Sequence, residues 1–468
     1  MQRGGIVLIE IRVQYLVMID THCHLDMYGE EGLDAILKRA EEAGVEAFIT
    51  IGSDRESNYA NIEIARRYSP VYLSVGIHPH DAKDFSGETS DEIVGLIREE
   101  KVVAIGETGL DYHYDHSPRE TQRKVFIAHL DLASRTGLPV IIHSREARDD
   151  TRHILGESGV RKGVLHCFSG DLDMAGKAME MGFLISIAGP VTFKNARRLQ
   201  EIAVAIPDMY LLAETDAPYL TPEPFRGQRN EPAYIVNTLT KLAELRGVSY
   251  EDIVRITSVN AKRLFRIGKL PSRGEIVYRI RDNLYLNITD RCTNRCSFCV
   301  RFHTDYVKGH NLRLLDEPSE EELKDAIGDP SMFKEVVFCG YGEPLLRLET
   351  VKSLAKWITE RGGRVRINTN GHGNIVNRRN ILPELHGIVD SMSVSLNAQD
   401  EETYKKLCNP IYKDAFREVI SFMREARNYV PHVQATVVQM EGVDTEKCRE
   451  ITDGLGITLK VRKHDVVG

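Results

Sequence analysis

The chain has 468 residues, more than one hydrophobic core normally serves, so two domains are expected. Its 42% hydrophobic and 28% charged residues exclude a disordered or fibrous protein. The formal charge of −8 divides into −7 for residues 1–282 (35 basic, 42 acidic) and −1 for residues 283–468 (26 basic, 27 acidic), which excludes a protein that coats nucleic acid through general phosphate contacts.

At the N-terminus, residues 1–15 read as a dispensable arm, with Met18 as an alternative start. The stretch Ile6–Leu16 is broken by Glu10, Arg12 and Gln14, and no apolar run reaches the roughly 20 residues that span a bilayer. No small-residue cleavage pattern follows it. Three of the eight cysteines crowd into eight residues, a spacing for chemistry rather than a disulfide framework. That usage points to a reducing cytoplasm.

Short apolar runs then alternate with polar loops and helical stretches. The expected strands are 47–51, 71–75, 102–105, 139–142, 163–165, 183–186 and 211–213, a number of βα units that suits a closed eight-stranded (β/α)8 barrel. Chemistry-bearing residues are expected just after these runs: Asp20 to His24, His78, Glu107, His143, His166 and Asp216. In a parallel barrel such positions converge at one mouth.

His22 and His24 lie two apart, which on an extended segment points both imidazoles to one side, where they can share a metal. Glu107 can bridge a pair of cations through its two oxygens. His143 and His166 can complete the shell of the second metal, and Asp216 closes that of the first or orients the attacking water. Two such ions would sit about 3.5 to 4 Å apart and act on a phosphate. The mixed nitrogen and oxygen donors admit magnesium, manganese or zinc. His78 reads as a phosphate donor, against a loop-packing histidine, and Cys23 and Cys167 as packing residues.

THCHLD (21–26), GIHPH (76–80), GETGLDY (106–112), IIHSR (141–145), HCFSG (166–170) and ETDAPYL (214–220) together resemble the TatD family of metal-dependent deoxyribonucleases, over residues 18–266. The resemblance implies a TIM-type barrel that hydrolyses DNA, at single strands or ends. It assigns His22, His24, Glu107 and Asp216 to the first metal, Glu107, His143 and His166 to the second, and His78 to phosphate. Other metal-dependent amidohydrolases share an early HxH and a late Asp. Here Glu107 stands in place of a clear bridging lysine.

The first domain is expected to span 16–270, with a helix through 259–265 and a short boundary at 267–282, where GKLPSRGEI packs breakers closely. The second, 283–468, opens with a strand at 284–288 and then reads DRCTNRCSFCV. Cys292, Cys296 and Cys299 in CxxxCxxC can hold three irons of a four-iron cubane and leave one open. A structural zinc site would need a fourth ligand, for which His303 is the candidate. FCGYGEP follows a strand at 336–338, with Gly340 and Gly342 allowing close backbone approach beside Glu343.

Together with INTNG (367–371) and VSLNA (394–398), these motifs resemble the radical S-adenosylmethionine family. The resemblance implies a partial TIM-type barrel carrying a [4Fe-4S] cluster on the three cysteines. S-adenosylmethionine would chelate the open iron, with Gly340, Gly342 and Glu343 at its amino group and Asn370, Ser395 or Asn397 at its polar or ribose region. Reductive cleavage would yield a deoxyadenosyl radical acting on a substrate that the motifs do not identify. GYGEP departs from the commoner GGEP by Tyr341. Cys339, Cys408 and Cys448 read as buried apolar residues.

The whole arrangement resembles a TatD-family-linked radical SAM protein. It implies DNA and a cytosolic electron donor such as flavodoxin or ferredoxin as partners. A barrel that only binds nucleic acid beside a working radical enzyme is the other reading.

Overall fold

The structure, a computed structural model, describes residues 17–270 and 273–463. The expected arm, residue 16, positions 271–272 of the expected boundary and residues 464–468 lie outside the described residues. The chain divides into two compact units, one up to Leu270 and the other from residue 271.

In the first unit eight strands neighbour one another in chain order: β1 (Met18–Cys23), β2 (Val45–Ile51), β3 (Val71–Val75), β4 (Val102–Asp111), β5 (Val140–Arg145), β6 (Gly163–Leu165), β7 (Phe183–Ile187) and β8 (Leu211–Ala213). All seven pairings are parallel, and every crossover carries a helix. A bridge between Cys23 and Ala217 brings the chain after β8 back to β1 and closes a TIM-type barrel. The strands are short apolar runs because both their faces are covered. Ile19, Ile49, Ile141 and Leu212 pack with Leu264 and Phe265, at the end of the helix Tyr250–Phe265. That apolar plug leaves the other mouth to the polar residues.

β4 runs six residues further than the sequence pattern suggests. Gly106 (φ +129°) and Gly109 (φ +139°) let it lie against β5, where a Cβ on Gly109 would come within 2.0 Å of the His143 carbonyl oxygen. The ladder continues through Thr108–Ile142 and Gly109–His143. Glu107 and His143 therefore stand on strands, not on the loops after them.

The second unit is an open seven-stranded sheet. β10 (Asn283–Leu286), β13 (Val336–Phe338), β14 (Val365–Thr369), β15 (Ser391–Ser395), β16 (His432–Gln439) and β17 (Thr458–Lys463) run parallel, and β9 (Val277–Ile280) pairs antiparallel outside β10. A hairpin, β11 (Tyr306–Val307) with β12 (His310–Asn311), forms a separate ribbon. β9 falls inside the stretch read as a boundary. It forms a hairpin with β10 across residues 281–282, in which Tyr278 pairs with Tyr285 and stacks on it, ring centroids 5.2 Å apart. Helices seal one face of this sheet over Leu286, Phe338, Ile367, Val394 and Val437. No helix among the described residues is long and apolar enough to cross a membrane.

Candidate functional site

β1 delivers His22 and the turn after it His24, and both Nε2 atoms approach Asp216 Oδ1, at 3.6 and 3.5 Å. Asp216 follows β8 in left-handed backbone (φ +58°), its N–H donating to the His22 carbonyl oxygen at 2.9 Å. The HxH pair and the late aspartate thus meet at the seam that closes the barrel. Cys23 turns the other way, its thiol 3.6 Å from the Ile49 carbonyl oxygen.

Glu107 stands between two sets of donors. Its Oε2 is 3.4 Å from His22 Nε2, whereas Oε1 faces His166 Nε2 at 2.7 Å, His143 Nδ1 at 3.0 Å and His78 Nε2 at 3.4 Å. Three groupings have donor atoms within 4.8 Å of one another: His22, His166 and Asp216; His22, His24 and Glu107; His78, Glu107 and His143. The fold brings all six expected ligands together. It also places His78 among them, closer than a phosphate contact alone requires.

Burial pushes the Glu107 carboxyl up, but the charge of His166 and hydrogen bonds from His143 and His166 hold it well below the ordinary range. Burial lowers His78 to about 4, so its imidazole is neutral at neutral pH. His22 is fully buried, yet neither ring nitrogen has a hydrogen-bond partner, and His166 Nδ1 also lacks one. Such orphaned nitrogens are costly. A divalent cation satisfies them and offsets the carboxylates, so the residues fit a metal centre.

A second layer orients the histidines. Asp111 Oδ2 accepts from His143 Nε2 at 3.0 Å and His80 Nε2 at 3.1 Å, which leaves His143 Nδ1 for the Glu107 side. Glu214 Oε1 accepts from the Cys167 N–H at 2.5 Å and lies 3.5 Å from His166 Nδ1. Asp20 Oδ1 accepts from the Thr215 N–H at 3.0 Å, tying β1 to the segment that carries Asp216.

In the second unit Cys292, Cys296 and Cys299 occupy the loop that follows β10, half-buried and unpaired by disulfides. A distant segment braces this loop. Arg295 N–H donates to Cys408 O at 3.0 Å, Ser297 N–H to Leu407 O at 2.9 Å, and Ile411 N–H to Thr293 O at 3.0 Å. Beneath it Thr293 Oγ1 meets Asn370 Nδ2 at 2.7 Å and His372 Nδ1 at 2.8 Å, while Tyr404 OH meets Asn294 Nδ2 at 3.1 Å and His372 Nε2 at 3.3 Å. Asn370 Nδ2 also lies 3.7 Å from Cys292 Sγ.

Gly342 lies against the same loop: a Cβ there would come within 2.3 Å of Thr289 O and 2.4 Å of Arg291 O. One at Gly340 would meet Asn287 Oδ1 at 2.1 Å. Glu343 accepts from the Leu345 N–H, Thr369 Oγ1 and the Asn370 N–H, at 3.0, 2.8 and 2.7 Å. Oε2 accepts only one of these, which leaves it a lone pair for an incoming amino group. Tyr341, the departure from GGEP, is buried and donates to Thr304 O at 2.7 Å. Ser395 is half-buried at the end of β15. Asn397 instead turns its amide to Cys408 Sγ at 3.8 Å. Three soft thiols on one braced loop fit an iron-sulfur cluster.

The TatD related DNase family model matches residues 19–266, over half of the chain. The chain belongs to this family. It is 44% identical over 256 residues to the uncharacterized metal-dependent hydrolase YabD of Bacillus subtilis (strain 168), covering 54% of this chain and 100% of that one. With YcfH of Escherichia coli (strain K12), also described as an uncharacterized metal-dependent hydrolase, identity is 38% over 258 residues, 54% of this chain and 97% of the other. The crystal structure of YjjV, a TatD homolog from Escherichia coli K12, superposes with a TM-score of 0.52 at 34% identity, covering 54% of this chain and 98% of that chain. Residues 286–453 match a second model, the radical SAM superfamily. A TatD-family hydrolase domain is thus joined to a radical SAM domain.

Sequence reasoning gave no role to Asp111, Glu214, His372 or Tyr404, whose partners become visible only in the fold. Cys408, expected to be a buried apolar residue, is buried in the core, and Cys296 packs against that core.

Proposed function

We propose that the TatD domain hydrolyses phosphodiester bonds of DNA, at single strands or ends, and that the second domain performs S-adenosylmethionine-dependent radical chemistry. The split of the Glu107 oxygens between two donor sets carries the first reading: one carboxylate serves two cation positions. His22, His24, Glu107 and Asp216 would hold one divalent ion, and Glu107, His143 and His166 the other. When bound, these ions supply an acidified water and polarise the phosphate. Neutral His78 donates from Nε2 to a phosphate oxygen, Asp216 accepts the proton of the attacking water at a carboxylate oxygen, and Asp111 fixes the His143 tautomer.

In the second domain Cys292, Cys296 and Cys299 would ligate a [4Fe-4S] cluster, with Glu343 accepting from the amino group of S-adenosylmethionine and Asn370 holding the loop beside Cys292. Cluster and cofactor together supply one-electron radical chemistry. The electron would come from a small donor such as flavodoxin or ferredoxin.

The test is paired. Single-stranded oligonucleotides are incubated with magnesium, manganese or zinc, and 5′-deoxyadenosine is measured separately after anaerobic reconstitution with a chemical reductant. Cleavage that stops on chelation supports the nuclease reading. DNA that binds but stays intact with all three metals overturns it.

A further inference from the structure

Among the described residues the helices of the second unit pack on one face of its sheet. Residues paired across parallel strands share a face, as do positions i and i+2 along a strand. On the other face the register sets Arg366 level with Ser391, Asn368 with Ser393, and Thr436 with Lys460, and Arg462 follows Lys460 two residues on. Tyr285, Val337 and Val438 share this face, so it is mixed, whereas the sealed face is mostly apolar.

A cavity of about 640 Å³ opens at the start of these strands, lined among others by Arg364, Arg366, Arg427 and His432. Glu335 is its only carboxylate; it lies 3.4 Å from Arg366 Nε and accepts from Ser391 Oγ at 3.1 Å. Among the described residues Arg364, Lys460 and Arg462 make no ion pair or hydrogen bond through their side chains. Asn368 Oδ1 is buried without a hydrogen-bond partner, and Arg366 Nε has the Glu335 ion pair but no hydrogen bond. A cavity with three arginines and one carboxylate matches a ligand with negative charge.

We propose that this cavity is an anion site, with a phosphate or carboxylate held by Arg364 and Arg366 at the starts of the strands. The site does not rest on the radical reading above. The hydroxyls and amides of Ser391, Asn368 and Thr436 would then face the polar body of the same molecule.

The test is hydrogen exchange on the full chain, treated with chelator so that the barrel's metals do not capture the probe, with inorganic phosphate and citrate as separate probes. One of them is expected to slow exchange in residues 364–369 and 432–436. In the Arg364→Ala/Arg366→Gln variant the concentration needed should rise about tenfold or more, because a charged hydrogen bond contributes about 1.5 to 3 kcal/mol. Phosphate protection without citrate protection identifies a phosphate site, and the reverse a carboxylate site; either supports the proposal. Unchanged exchange with both probes, or equal protection in the variant, overturns it. Arg364→Ala alone alters an exposed side chain, so an effect there is not a folding defect. Because phosphate binding needs neither cluster nor cofactor, absent 5′-deoxyadenosine with intact protection would break the radical reading and leave the anion site standing.

Discussion

His22 and Asp216, from opposite ends of the barrel domain, meet because the barrel closes between them, while three thiols of the second domain come from a single loop and depend on other segments to hold it still. The first arrangement is rigid by topology: each donor stands on a strand or directly after one, and a second layer fixes its orientation. The second is rigid by bracing, through the backbone bonds to residues 407–411 and the buried Thr293–His372–Tyr404–Asn294 network. A closed sheet can therefore assemble a site from distant residues, whereas an open one concentrates its ligands and buttresses them.

The largest effect expected is from Cys296→Ala, which leaves two thiols for a cluster that needs three; 5′-deoxyadenosine formation should fall to background while oligonucleotide cleavage persists. Loss of both activities in a folded variant would show that the two sites are not independent. Glu107→Gln should lower DNA hydrolysis on the order of a thousandfold, about 4 kcal/mol, with the iron-sulfur absorption unchanged. Wild-type turnover at limiting metal would remove the bridging role. Asp111→Asn keeps the shape but weakens the acceptor for His143, and metal affinity measured by titration should drop about 10- to 100-fold.

Two smaller effects probe the bracing. Glu343 is pushed up to about 7 by burial, against 4.5 for a free carboxyl. The folded chain thus holds a proton that the unfolded chain releases, and it loses stability as pH rises from about 4.5 to about 7. Without cluster or cofactor, the second domain should be more stable at pH 5 than at pH 8 by up to about 3 kcal/mol, and Glu343→Gln should flatten that slope in denaturant titrations. Tyr404→Phe leaves the Asn294 amide without its buried partner. It should cost about 1 to 3 kcal/mol and lower the yield of reconstituted cluster, with no effect on the barrel.

The motif residues were legible in sequence because each carries chemistry in its own neighbourhood: HxH, the late Asp216, the cysteine triplet and the glycines beside Glu343. Their strand placement was less so. Gly106 and Gly109 look like turn residues, and only their approach to the β5 backbone makes them part of a strand. Cys408 was unreadable for a similar reason: nothing near it in the chain announces that Cys296 packs against the same core. The rule in each case is that pairings made by tertiary neighbours leave no local periodicity.

Among the described residues β17 has no strand on its outer side, so its backbone donors and acceptors form a template on which another chain could lay a strand. Its sequence TLKVRK sets Lys460, Arg462 and Lys463 along that edge, all exposed, as is Val461 between them. An incoming strand would have to bring its own backbone against three positive charges. The barrel has no such edge to defend. Neutralising Lys460 and Lys463 would expose the open sheet to edge-to-edge association, a solubility defect arising without any loss of folding stability.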